Sequence, residues 1–369
     1  MKVKSSAPYY FGLSLLSIIY YFFGNFPFSA YEWSTIVDIP FLLRTLDPNY
    51  LTHDFYTNSV INSPKLIYAQ FVVIFIKLGF TWYNALYFLK ICFYVFKYPL
   101  LFSILIKINS VWNPKMTQTH KERIKIISLF YVIGFLSFLG GTNLQNGPGG
   151  WAAIQHLGII SPMTLSYLFG IAYLHFKFST TKTFPIVFLM LSTLIHPAIG
   201  ICIFIIELIF ILPLYDKISD NKPILIEATF GVVVPMIIIF YNYQSFLSSY
   251  EYIKLYVYDR HPHHYLMSEV LDYHTLKWFG IFIISLCISI WLKEKKIILL
   301  SLLCLFWFIF PIFVQFIGTE IFYIKFIAKL GPSRFTSFIS IIWGIQSLII
   351  ISKYLSKSNI SIVMNSQTS

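Results

Sequence analysis

Apolar runs recur along the whole chain, each near the length that a helix needs to cross a bilayer, about 20 residues. They fall near residues 9–28, 66–80, 83–107, 126–140, 156–176, 184–197, 198–214, 223–242, 276–292, 297–317 and 335–353. A bilayer core offers no water to backbone groups, so spanning segments must be helices unless they close a barrel, whose alternating polarity is absent here. The sequence therefore predicts an all-α, polytopic integral membrane protein with about 10–12 transmembrane helices.

The composition supports the same class. Of 369 residues, 57% are hydrophobic and 11% are charged, and the mean hydropathy is +0.72. Soluble domains carry about 25% charged residues, so a water-soluble globule is excluded. The 4 cysteines all lie inside apolar runs and lack the spacing of a zinc site or a disulfide framework.

The distribution of lysine and arginine predicts the orientation in the membrane. Lys2 and Lys4 precede the first apolar run, which places the N-terminus in the cytoplasm by the positive-inside rule. Residues 1–358 then form a single transmembrane helical domain with an external acidic loop at 29–65, and residues 359–369 form a cytoplasmic tail. On this map the inside accounts for the whole formal net charge of +12. The basic balance is therefore a topology signal and does not indicate a nucleic-acid partner.

The number of apolar runs between residues 64 and 107 conflicts with this predicted orientation. The basic stretch 107–125 belongs in the cytoplasm, which requires an odd number of crossings, yet the region holds two apolar runs. Two solutions are open. Either one of the two runs, with 66–80 favoured over 83–107, is re-entrant or interfacial, or a third short helix lies around residues 97–99.

The external acidic loop collects four carboxylates, namely Glu32, Asp38, Asp47 and Asp54. Interleaved apolar residues predict a short amphipathic helix on the membrane surface, from which these carboxylates face a substrate. In the alternative interpretation the loop is solvated, Asp47 opens a turn with Pro48, and Asp54 caps a helix.

A second external loop, 243–275, is rich in histidine. It contains the run Arg260-His261-Pro262-His263-His264-Tyr265. Arginine and imidazole groups at this spacing could bind a phosphate, or the histidines could ligate a divalent cation beside Asp259. Arg44, Arg260 and Arg334 all fall on the predicted external side. A guanidinium group suits a phosphate better than a lysine ammonium group does, because it can donate two parallel hydrogen bonds. The alternative is a polar loop with surface histidines.

Short motifs in these two loops resemble motifs of a known family. Asp47-Pro48-x-Tyr50-Leu51-x-x-Asp54-Phe55-x-x-Asn58 and the run Arg260 to Tyr265 resemble two hallmarks of an uncharacterised bacterial membrane family. That family is similar to the GT-C class of membrane glycosyltransferases, which use polyprenyl-phosphate-linked sugars. The cytoplasmic N-terminus, first helix and long acidic external loop also resemble this class. The resemblance implies a cell-envelope transferase of the bacterial inner membrane, with both termini cytoplasmic and membrane lipids and a lipid-linked sugar as partners.

The resemblance also implies roles for residues. A first-loop acid serves as base or metal ligand in the GT-C class, which makes Asp38, Asp47 and Asp54 the catalytic candidates. The leaving lipid phosphate would be held by Arg260, His261, His263, His264 and Arg334. The one cofactor expected is a divalent cation, Mg²⁺ or Mn²⁺.

Other functions remain open. A multi-spanning transporter or lipid-glycan flippase would use Glu207 or Glu227, because acids within apolar segments indicate function. Paired halves with broken helices, which transporters usually show, are not visible in the sequence. A glycan polymerase would use the same external arginines and histidines, and a non-catalytic assembly factor is a further alternative. The external clustering of polar groups favours an enzyme.

Overall fold

A computed structural model describes residues 7–24, 33–53, 65–114, 116–136, 161–179, 185–214, 222–242, 248–260 and 265–367. Throughout these ranges the chain forms helices and turns, without a strand. The all-α class predicted from the sequence is confirmed for this part of the chain.

Six helical stretches of the described ranges are long and apolar enough to cross a membrane: Trp82–Trp112, Pro197–Leu214, Pro223–Tyr241, Tyr273–Trp291, Lys295–Ile321 and Lys325–Ser356. The last stretch joins the short helix Lys325–Leu330 and a 3₁₀ turn to the long helix Ile339–Gln367. Shorter apolar helices occur at Ala7–Ile19, Ile67–Lys77 and Ile186–Ile195. These lengths and compositions fit an integral membrane protein. The count of about 10–12 spans and the GT-C topology stay predictions.

The region between residues 64 and 107 contains two helices. Lys65–Lys77 has 13 residues, fewer than a perpendicular crossing needs. Trp82–Trp112 is continuous over 31 residues, although Pro99 lies inside it. A separate third helix at 97–99 is therefore not formed, and the re-entrant or interfacial alternative for 66–80 remains.

The contacts divide the chain into two compact units. The first comprises Met1–Leu101, Leu157–Phe204 and Asn221–Leu247, and the second comprises Phe102–His156, Ile205–Asp220 and Ser248–Ser369. The interpretation of residues 1–358 as a single domain stays a prediction.

Two helices, Trp82–Trp112 and Pro197–Ile211, begin in the first unit and end in the second. The first unit also contains the α-helices Ala7–Gly24, Trp33–Leu46, Lys65–Lys77, Pro162–Lys177, Ile186–Ile195, Lys222–Ile226 and Val234–Asn242, and a π-helical turn at Glu227–Val233. Ser166 and Ser192 exchange hydrogen bonds between two of these helices, with each hydroxyl donating to the other residue's carbonyl at 2.7 and 2.9 Å. Thr193 donates to the Gly231 carbonyl at 2.7 Å. Such hydroxyl bonds join helices where no water competes.

The second unit contains, besides the ends of the two shared helices, the helices Gln118–Phe130, Ser249–Ile253, Met267–Val270, Tyr273–Trp291, Lys295–Phe316, Lys325–Leu330 and Ile339–Gln367. Short π and 3₁₀ turns extend them at Tyr131–Leu136, Leu212–Leu214, Lys254–Arg260, Ile317–Ile321 and Pro332–Phe338. Buried polar groups join three of the long helices, because Gln346 donates to Ser301 at 2.9 Å and Ser301 lies 2.7 Å from the Ser289 hydroxyl. The predicted tail from residue 359 is helical as far as Gln367.

Candidate functional site

The helical segment that leads into the His-rich run, Ser249–Ile253 with its continuation Lys254–Arg260, is called the tyrosine helix here. Its start is fixed by a capping box: the Ser248 hydroxyl accepts from the Glu251 amide at 3.2 Å and the Glu251 carboxylate accepts from the Ser248 amide at 3.0 Å. The Ser248 hydroxyl also donates to the Glu251 carboxylate at 2.7 Å, and this bond, with that from the Ser248 amide, lowers the pKa of Glu251. The helix therefore starts at a defined residue, which sets the faces on which its four tyrosines lie.

Tyr265, the last residue of the His-rich run, is anchored in the interior of the second unit. Its exposed fraction is 1%, and it packs with Ile253, Val257 and Ala328. Ala328 belongs to the helix Lys325–Leu330, so Tyr265 joins that helix to the tyrosine helix.

A glycine turn brings Arg334 to Tyr265. The helix Lys325–Leu330 ends at Gly331, whose φ of +57° is the left-handed conformation that glycine adopts without steric cost. Pro332 then begins the 3₁₀ turn that carries Arg334. A Cβ atom on Gly331 would lie 2.9 Å from the Tyr265 hydroxyl and 3.1 Å from Arg334 Nε. The turn can approach Tyr265 this closely only because residue 331 has no side chain.

Arg334 is partly buried and is held by two phenols. Its Nη2 donates to the Tyr256 hydroxyl at 3.2 Å and to the Tyr265 hydroxyl at 3.1 Å. Burial raises the pKa of Tyr265, so this phenol is neutral at physiological pH. Both hydroxyls orient the guanidinium group without cancelling its charge.

Two lysines add positive charge beside these phenols. Lys325 and Lys329 place their Nζ atoms 5.7 and 5.4 Å from the centre of the Tyr252 ring. Tyr252 in turn stacks on Tyr256, with ring centres 5.3 Å apart. Two ammonium groups over one ring repel each other, and a bound anion would relieve that repulsion. We call this set the tyrosine–arginine cluster: Tyr252, Tyr256, Tyr265, Lys325, Lys329 and Arg334.

Gln315 joins the two chain segments of this site, the one at Tyr265 and the one at Ser333. It is buried near the end of the helix Lys295–Phe316, with 1% of its surface exposed. Its Nε2 donates to the Tyr265 carbonyl at 3.1 Å and its Oε1 accepts from the Ser333 amide at 3.0 Å. Glu320 makes a second link, because its carboxylate accepts from the Met267 amide at 2.7 Å. Sequence reasoning missed both residues, and a lone amide inside the apolar run 297–317 was the available signal for Gln315.

The predicted phosphate-binding residues divide between described and undescribed parts. Arg334 lies in the tyrosine–arginine cluster. Arg260 is the last residue of the tyrosine helix, and its side chain lies outside the described residues. His261, His263 and His264 also lie outside them, directly before Tyr265 in the chain. The roles predicted for these four residues stay predictions.

All three predicted catalytic acids belong to the first unit, and only one of them, Asp47, has a described side chain. Asp38 lies in the helix Trp33–Leu46, with a side chain outside the described residues, and Asp54 lies outside them altogether. Asp47 is exposed just after that helix, and its Oδ1 accepts from the Asn49 amide at 2.9 Å. Asp47 therefore forms the turn that the alternative interpretation predicted, and its catalytic role stays a prediction.

In the part of the chain that the structure describes, no group of three or more His, Cys, Asp or Glu side chains is arranged to hold a metal ion. The histidines of the His-rich run are not among these residues. The expected Mg²⁺ or Mn²⁺ stays a prediction.

The two acids within apolar segments differ in their surroundings. Glu227 forms an ion pair with Lys177, with Nζ to oxygen distances of 2.5 and 2.6 Å. Glu207 is fully buried in the helix Pro197–Ile211. Lys177 and Glu227 adjoin the loops 177–183 and 215–222, both of which the charge distribution predicts inside, and the topology stays a prediction.

The fold and the site together define an α-helical protein with membrane-spanning character and a tyrosine-held cationic cluster at a helix end. No family model, curated protein or solved structure matches this chain. The resemblance to the GT-C class stays a prediction carried by the two loop motifs.

Proposed function

We propose that this protein is a membrane glycosyltransferase that acts at the external face on a polyprenyl-phosphate-linked sugar. The observation that carries the proposal is the tyrosine–arginine cluster, in which Arg334, Lys325 and Lys329 lie beside the end of the His-rich run. A lipid phosphate gains negative charge as its bond to the sugar breaks. Cations that are already oriented stabilise that charge without reorganising.

Contacts between predicted external segments support this site. Tyr265 ends the His-rich run and Met267 follows it, and their main-chain groups bond to Gln315 and Glu320 at the end of another membrane-spanning helix. The charge distribution predicts that the segments 243–275 and 318–334 lie on the same side of the membrane. Their contact fits a single external phosphate site.

The proposed reaction transfers the sugar to an acceptor hydroxyl. The hydroxyl oxygen attacks the anomeric carbon while a carboxylate takes the hydroxyl proton, the role for which the resemblance to the GT-C class names Asp38, Asp47 and Asp54. The bond between the anomeric carbon and the phosphate oxygen breaks, and the oxygen leaves with the electron pair. The resulting lipid phosphate is held by Arg334 with Arg260 and the three histidines of the run.

Binding of polyprenyl phosphate to the purified, detergent-solubilised protein tests the phosphate site. Arg334→Ala and Arg260→Ala should each weaken binding at least tenfold, about 1.4 kcal/mol. The matched control is Arg123→Ala, which removes an exposed arginine from the predicted cytoplasmic helix Gln118–Phe130 and should bind like the wild type. Absence of binding by the wild type would refute the proposal.

The transfer step needs its own test in a producing strain. Asp54→Asn and Arg260→Ala should each change the profile of surface glycans or glycolipids, because one removes the proposed base and the other a phosphate ligand. Profiles identical to the wild type for both variants would contradict a transferase, even if the lipid phosphate binds.

The complete burial of Glu207 favours a second candidate, a transporter or lipid-glycan flippase. In that case Glu207→Gln would abolish movement of a lipid-linked sugar across reconstituted vesicles. A transferase would instead retain its product formation in this variant.

A further inference from the structure

The helix Lys65–Lys77 is apolar but too short to cross a membrane. Its 13 residues extend about 20 Å, whereas the hydrocarbon core of a bilayer is about 30 Å thick. The helix that follows, Trp82–Trp112, has 31 residues and is long enough to cross by itself. This part of the chain therefore combines one crossing helix with one short helix that needs a different place.

The exposed face of the short helix is polar near its centre. The buried face consists of Tyr68, Ala69, Val72 and Val73. The other face exposes Gln70, Ile74 and Lys77. A helix that crossed or dipped into the bilayer would hold the exposed Gln70 amide in hydrocarbon, where no water can bond to it. This face therefore suits a place where it meets water and lipid head groups.

The start of the crossing helix marks the level of the membrane surface. The Thr81 hydroxyl accepts from the Asn84 amide at 3.1 Å and caps this start. Three aromatic rings follow, with ring centres 6.0 Å apart for Trp82 and Tyr83 and 6.3 Å apart for Tyr83 and Tyr87. Tryptophan and tyrosine concentrate at membrane–water interfaces. Because only residues 78–81 separate the two helices, the short helix ends at the same interface.

A second short helix, Trp33–Leu46, packs against Lys65–Lys77. It has 14 residues, contains Pro40 and is also too short to cross. Leu42 is buried, and Asp47 just after the helix is exposed. We call Trp33–Leu46 and Lys65–Lys77 the short-helix pair.

We propose that the short-helix pair lies in the membrane–water interface of the outer leaflet and binds its lipid head groups, without crossing the membrane. The charge distribution predicts that the loop before residue 65 lies outside and that the stretch 107–125 lies inside. With Trp82–Trp112 as the one crossing between them, the odd number of crossings that this distribution requires is met. The inference concerns the placement of the chain and stands independently of the proposed transfer reaction.

Labelling of single cysteines with a membrane-impermeant maleimide tests this placement. The full chain is inserted in membranes after its four native cysteines are replaced by alanine, and right-side-out and inside-out vesicles are compared. Gln70→Cys and Leu78→Cys should each react at least fivefold faster from the outer side than from the inner side. Leu78 is 70% exposed in the turn after the short helix, so its replacement removes no buried contact.

Two controls set the scale. Asp47→Cys, at an exposed position next to the pair, should react from the outer side. Phe306→Cys, 58% exposed near the middle of the helix Lys295–Phe316, should react from neither side. Reaction of Leu78→Cys only from the inner side would mean that the short helix crosses, and reaction from neither side would mean that it dips into hydrocarbon. Either result would overturn the placement, as would a Gln70→Cys variant that reacts no faster than Phe306→Cys.

Discussion

Replacing Gln315 by leucine tests whether one buried amide positions the candidate site. The Gln315 side chain bonds to the Tyr265 carbonyl at 3.1 Å and to the Ser333 amide at 3.0 Å. Leucine fills a similar volume but offers neither a donor nor an acceptor. The variant therefore leaves two main-chain groups without these bonds, one on each side of the site.

The size of the effect follows from those two groups. A buried polar group left unsatisfied costs about 1–3 kcal/mol. Polar bonds between helices in membranes average nearer 0.6 kcal/mol, because the groups find other partners when the helices separate. For two bonds we expect a loss of about 1–4 kcal/mol in the free energy of unfolding. The freed turn should also shift Arg334, which follows Ser333 directly.

The assay pairs stability with ligand binding. The free energy of unfolding is measured by titration with a denaturing detergent, and binding is measured with undecaprenyl phosphate. Gln346→Leu is the matched control, since Gln346 is also fully buried in the second unit but bonds to Ser301 between long helices. Both variants should lose stability, and only Gln315→Leu should lose binding, at least fivefold.

Two results would refute this reasoning. Equal loss of binding in both variants would mean that binding follows global stability and that Gln315 has no positioning role. Unchanged stability and binding in Gln315→Leu would mean that the two hydrogen bonds contribute nothing.

Two further predictions concern a turn and an ion pair. Gly331→Ala should weaken binding of undecaprenyl phosphate at least fivefold, because the added Cβ meets a tyrosine hydroxyl at 2.9 Å and the left-handed backbone costs about 1–2 kcal/mol. Gly280→Ala, where a Cβ meets nothing within 4 Å, should bind normally, and equal binding by the two variants would contradict the steric argument. Lys177→Met should destabilise the protein by about 3 kcal/mol in the detergent titration, because it removes the ion-pair partner of the buried Glu227 carboxyl group. Adding Glu227→Met should restore most of that loss, and a double variant as unstable as the single one would count against this explanation.

Arg334 could be found from the sequence, because arginine is scarce in this chain and the charge map places it outside. The sequence predicts either a catalytic role or a turn for Asp47, and the structure shows the turn. Gln315 offers only a weak signal in the sequence, a lone amide inside an apolar run. Its importance depends on two hydrogen-bond partners, the Tyr265 carbonyl and the Ser333 amide, which only the folded chain brings together.

The sequence by itself determined the helical class and the membrane-spanning character. Both are local consequences of composition, because a bilayer forces each spanning segment to satisfy its own backbone groups. Only the tertiary structure decided which polar residues meet. Tyr265 and Arg334 are 69 residues apart in the chain, and they touch because a glycine turn and a buried glutamine bring two helix ends together. Such contacts depend on the packing of several helices, which no local pattern specifies.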